Sequence, residues 1–276
     1  MDKACAYCGR VGNLTKEHLI PRCILKRTPH YTSQFLDASR SGFIQGEATI
    51  GDVCRACNSQ VLSDLDEYFC GVYDKWFARK VSPNSTKEFS YNFPMLSRWL
   101  LKTSYNVART KTGDEAAVLR ASVPYVLSSQ AYLRFALFVE IVAPRVLTPD
   151  EEATLDKSVR DELPRRGQHC MIPPNMVRVS STVMPSHFHD VICRLVAINA
   201  FYFYLLLPRS AEMLPKIWQR RRREFHSLIP ESTQLVAGSR AAILRQSSRD
   251  VFSSYAPTIV KNLGRFAAAF GPRIDR

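Results

Sequence analysis

Two Cys-x-x-Cys pairs, Cys5 with Cys8 and Cys54 with Cys57, constrain this chain more than any other stretch. Two cysteines separated by two residues chelate one metal from a tight turn, and Gly9 supplies the backbone freedom that such a turn needs. Two such pairs a few tens of residues apart predict one tetrahedral structural zinc site. The segment between them is longer than in a zinc ribbon, so it has room to hold something. The other thiols, Cys23, Cys70, Cys170 and Cys193, fall in no comparable spacing and read as isolated buried side chains.

Glu17 and His18 lie between the pairs, and Asn58 directly follows the last cysteine. The run Leu14 to His18 predicts a brief strand, with Pro21 ending it in a loop, and residues 47–53 predict the strand that delivers Cys54. An Asn beside a zinc cysteine is held by the metal's geometry at the start of a helix, where its side chain can face Glu17 and His18. A carboxylate and an amide oxygen are hard ligands that suit Mg2+. An imidazole beside them can take a proton from water at neutral pH. One hard metal and one base are sufficient for phosphodiester hydrolysis.

These residues resemble the HNH, or ββα-metal, endonucleases. The match rests on Cys5-x-x-Cys8, Glu17-His18 with Ile20-Pro21, and Cys54-x-x-Cys57-Asn58, over roughly a quarter of the chain. The resemblance implies that His18 is the general base and that Glu17 binds a catalytic Mg or Mn ion. It implies that Asn58 completes that metal site or orients the His18 loop. The four cysteines would hold structural zinc. It points to hydrolysis of phosphodiester bonds, in DNA ahead of RNA, and toward prokaryotic restriction or phage defence. In one respect the chain departs from many members, because no histidine follows Asn58 on the predicted helix. Asp64, Asp66 or His30 could supply a further ligand, although each also reads as an ordinary surface residue. The pair His187 and His189 could likewise bind metal from a strand. The alternative is a zinc module that binds nucleic acid without cutting it.

The 276 residues carry a formal net charge of +13 and are 46% hydrophobic. Zinc bound by four thiolates would lower that charge by two. The remaining excess favours a polyanionic partner, nucleic acid first. No apolar run reaches the ~20 residues of a membrane span, and no secretory leader is evident, so the expected location is cytoplasmic.

The expected fold class is α+β. An N-terminal ββα-metal zinc module spans residues 1–80. A mixed domain over 81–276 is helical first, then a small antiparallel sheet with a basic helical tail. Helical spacing predicts helices from Asn58 to Trp76, over Leu96 to Ala108 and over Ser128 to Ala143. Thr148 predicts a helix cap. Stretches 176–184, 190–197 and 201–207 predict a meander, in which the run Phe201 to Tyr204 reads as core ahead of a base-stacking platform. From Arg209 onward there are thirteen Lys and Arg against five Asp and Glu, with Arg220, Arg221, Arg222 and Arg223 in one block suited to phosphates. The 81–276 domain selects substrate or supports a homo-oligomer in this reading. Residues 27–46 read as a surface loop.

Overall fold

The computed structural model describes residues 3–27, 34–37, 42–45, 48–79, 81, 85–110, 113–174, 177–182 and 184–250. His30, most of the 27–46 stretch and residues 251–276 lie outside the described residues.

The chain is α+β. Strand β1 (Leu14–His18) is followed by the short helix α1 (Arg22–Arg27), where the sequence reading expects a loop. Pro21 does end the strand, but a proline just ahead of a first turn sacrifices no helical N–H. Its carbonyl accepts from the Ile24 and Leu25 amides at 2.9 and 3.2 Å and so starts the helix. Strands β2 (Gln34–Asp37) and β3 (Gly42–Gln45) pair antiparallel inside the stretch expected to be only a loop.

Strand β4 (Thr49–Cys54) pairs antiparallel with β1, from Leu14 opposite Cys54 to His18 opposite Thr49. The register shifts between Thr15 and Glu17. The chain then runs helically through α2 (Arg55–Cys57), a π-helical stretch Asn58–Leu62, α3 (Ser63–Val72) and a second π-helical stretch Tyr73–Phe77. Two antiparallel strands and a helix therefore stand where the local sequence patterns of residues 14–18, 47–53 and 58–76 predict them.

Cys23 of α1 and Cys70 of α3 are paired as a disulfide, with Cα atoms 6.3 Å apart. This corrects their reading as isolated thiols. Ile24 packs α1 onto the core and brings two cysteines 47 positions apart in sequence together. Cys170 and Cys193 are buried free thiols, as expected.

After β5 (Thr86–Ser90) comes the central helix α4 (Phe93–Ala108). It begins three residues before the expected start because Asn92 caps it, accepting from the Met95 amide at 3.1 Å, with Pro94 in the first turn. Short helices α5 (Glu115–Arg120) and α6 (Val123–Leu127) follow.

Residues 128–143, expected as a helix, are irregular and then form strand β6 (Ala136–Ala143). The physical reason is burial on both faces. Leu137, Val139 and Ile141 enter one core, while Ala136, Phe138 and Val142 enter another on the opposite face. A strand covered on both sides shows a continuous apolar run, which periodicity does not separate from a buried helix.

Beyond β6 come β7 (Arg145–Val146), α7 (Pro149–Ala153), α8 (Lys157–Glu162), β8 (Arg165–Arg166) and β9 (His169–Ile172). Thr148 and Glu151 form the expected cap of α7, a reciprocal capping box.

The predicted meander is present as β10 (Val177–Ser181), β11 (Val191–Ile198) and β12 (Phe201–Pro208). Asn199 turns the last hairpin with φ at 51°, a conformation that Asn tolerates. Helix α9 (Pro215–Leu228), β13 (Thr233–Leu235) and β14 (Ala241–Asp250) complete the described chain.

The sheet is larger than expected. It has seven strands in the order β10-β11-β12-β6-β14-β5, with β13 also pairing β6. Strands β6 and β14 run parallel, so the tail continues from a helix into the sheet. Phe201 to Tyr204 are all buried, which makes them core. On one face, Leu96 and Trp99 of α4 join Phe201 and Phe203; on the other, Trp218 and Phe225 of α9 join Tyr202 and Tyr204. The first of these cores runs from Cys5 to Leu244, so residues before and after position 80 are packed together. Among the described residues, no helix is long and apolar enough to cross a membrane.

Candidate metal centre and the polar trio

The first cysteine pair sits in a turn closed by two backbone bonds. The Gly9 amide donates to Cys5 O and the Cys5 amide donates to Arg10 O, each at 2.9 Å. Gly9 has φ at 73°, which a Cβ would strain. The Ala6 amide donates to Asp52 O at 2.9 Å and clips this turn to β4. Cys54 ends β4, and Cys57 lies one helical turn further on.

The four sulfurs lie within 4.8 Å of one another. Tetrahedral zinc with Zn–S bonds of about 2.3 Å places its sulfurs roughly 3.8 Å apart, so the donor set fits zinc. The Cys8 and Cys54 sulfurs are already 3.6 Å apart. Burial pushes the Cys5 thiol up, yet backbone amides of Cys54, Cys8 and Tyr7 outweigh it and hold it at about 7. Burial, followed by the neighbouring sulfurs, pushes the Cys57 thiol up. Four crowded sulfurs without a cation resist becoming thiolates together, and a bound metal removes that conflict.

Asn58 faces β1, as its position after Cys57 leads one to expect. Its amide donates to Thr15 Oγ1 at 2.8 Å and to Lys16 O at 3.0 Å. It thereby fixes the strand immediately before Glu17 and His18.

Glu17 is placed differently. Its carboxylate is buried against the Lys102 ammonium at 2.7 Å, and Asn106 donates to its Oε1 at 3.3 Å. Lys102 also bonds Asp66 at 2.6 Å, and Trp99 Nε1 donates to the same Asp66 oxygen at 3.0 Å. Asn106 donates to His18 O at 3.4 Å and accepts from Tyr7 O–H at 2.6 Å. One helix thus grips both residues of the Glu-His dipeptide from behind, and half-buried His18 sits at the end of β1.

So placed, Glu17 does not fit a divalent-metal ligand, because an ammonium already neutralises it and its side chain is only 5% exposed. Asp66, weighed as a substitute ligand, is likewise taken by Lys102 and Trp99. His187 and His189 lie at a 3-10 turn before β11, not in a strand. Among the described residues, the four cysteines are the group of His, Cys, Asp and Glu side chains close enough to hold a metal.

Lys102, Asn106 and Arg109 escaped the sequence reading. They fall at i, i+4 and i+7 on a helix that reads as simply amphipathic, and that polar stripe on a helix destined for the core is the signal. Arg109 grips Asp52 of β4 with two bonds, at 3.0 and 2.9 Å, and lies over the Tyr7 and Tyr105 rings.

The arginine block does not form one basic face. Successive helical residues turn by about 100°, so the four side chains spread around α9. Arg221 is turned inward and paired with Asp190 and Glu224, both at 2.8 Å, which removes it as a phosphate contact. Arg220 is exposed beside Glu224 at 3.5 Å. Arg222 bonds Gln234 at 3.0 Å, and Arg223 is exposed.

Comparison of the chain with protein-family models, with curated proteins and with solved structures finds no match.

Proposed function

We propose that this chain is an HNH-type endonuclease in which His18 acts as general base on a scaffold closed by zinc. The observation that carries the reading is the Asn58 clamp. The residue after the last zinc cysteine holds the backbone of β1 directly ahead of Glu17-His18, within a ββα unit. An imidazole held there can accept a proton from water as that water attacks phosphorus. Asn58 and Asn106 position it, gripping the strand backbone on either side of Glu17. The net charge of +13 suits a nucleic-acid substrate.

A second reading draws on the Glu17–Lys102 pair. A carboxylate neutralised from within suits a zinc module that binds nucleic acid without cutting it. Labelled DNA and RNA strands, incubated with the zinc-loaded chain and Mg2+ or Mn2+, separate the two. The nuclease reading expects shortened strands. Retention that weakens with salt, with every strand left intact, supports the second reading and overturns the first.

A further inference from the structure

We infer that the groove between α9 and the sheet is a nucleotide-binding site. It is an open groove of about 440 Å³, lined by Gln219, Arg222, Arg223 and His226 of α9, Phe138 of β6 and Gln234 of β13. Ligand clefts span roughly 300–1,000 Å³, so the space suits a mononucleotide. The four helix residues fall at i, i+3, i+4 and i+7, so one face of α9 overlooks the groove.

The chemistry of that lining is specific. It holds two guanidiniums, and among the described residues that line it there is no carboxylate. Glu224, the acid nearest in sequence, is turned to Arg220 and Arg221. Guanidinium groups match phosphate oxygens in pairs. The Arg222 Nε is buried without a hydrogen-bond partner among the described residues, although its Nη2 donates to Gln234.

The rest of the groove suits a base. His226 stacks on Phe138, with ring centroids 5.9 Å apart and planes at 17°. Phe138 is buried beneath and His226 is exposed, which leaves a flat face for a base to lie against. Gln219 and Gln234 bring amide groups able to bond base edges. The nucleotide could be free or one unit of a strand. Neither source requires that the chain cut nucleic acid.

The test is calorimetric titration of the full, zinc-loaded chain carrying His18→Ala, with no added divalent metal, so that binding is read apart from cleavage. The probes are the four nucleoside monophosphates, inorganic phosphate and a short single-stranded oligonucleotide. A nucleoside monophosphate or the oligonucleotide is expected to bind more tightly than phosphate. Arg222→Gln and Arg223→Gln should each weaken that binding about tenfold or more. Arg223 is exposed, so its variant keeps the test clear of folding effects. Displacement of a bound monophosphate by the oligonucleotide identifies a strand as the source, and failure to displace it identifies the free nucleotide. Binding equal in the Arg222, Arg223 and unaltered chains overturns the inference. So does phosphate binding as tightly as any nucleotide, or no binding of any probe.

Discussion

Replacing Cys57 with serine is expected to abolish zinc retention and unfold the ββα unit. The strands that carry the centre are short, five residues in β1 and six in β4, and they form a two-stranded sheet of their own. A two-stranded hairpin is marginal alone. A metal held by the four sulfurs would join the Cys5–Cys8 turn to the end of β4 and the first turn of the helix. Structural zinc contributes about 10–16 kcal/mol of apparent binding free energy in small zinc modules. Metal analysis should find about one equivalent of zinc in the unaltered chain and none in Cys57→Ser. Thermal denaturation should then show early loss of the N-terminal region. Zinc uptake should release protons and tighten as pH rises, because burial and neighbouring sulfurs push Cys57 up and its thiolate must form. A variant that keeps the melting temperature of the zinc-loaded chain would show that the centre is dispensable.

Lys102→Met should destabilise the fold by about 3–5 kcal/mol, the usual cost of leaving one member of a buried ion pair without its partner. Lys102 is buried between Glu17 at 2.7 Å and Asp66 at 2.6 Å, so its removal leaves two carboxylates facing one another. Glu17→Gln removes one of these charges and keeps the side chain's shape. The double variant should therefore be more stable than Lys102→Met alone. Urea denaturation of the two single variants and the double variant measures that coupling. A loss under about 1 kcal/mol for Lys102→Met, the range of exposed pairs, would contradict the placement of Glu17 in the interior.

The ββα unit was legible because its signals are local. Two cysteine pairs, a strand-sized run ending at Pro21 and helical spacing after Asn58 each need only a few residues to read. The partner of Glu17 was not legible, because Lys102 lies 85 positions away and reaches it only when α4 crosses behind the hairpin. The Cys23–Cys70 pairing was hidden for the same reason, since it depends on α1 packing against α3. Strand β6 was misread as a helix because its two faces enter different cores, which removes the alternation that marks a strand. The arginine block reads in sequence as suited to phosphates, whereas helical geometry sends Arg221 inward to Asp190.

The central claim is that His18 performs chemistry on nucleic acid. Its most direct measurement is the rate of supercoiled-plasmid nicking in Mg2+ or Mn2+ by the unaltered chain and by His18→Ala, both zinc-loaded and equally stable. General-base catalysis contributes about 10²–10⁴-fold. The account expects nicking by the unaltered chain and a loss of at least about a hundredfold in the variant. Equal rates for the two proteins, or no nicking by the unaltered chain in either metal, would contradict it.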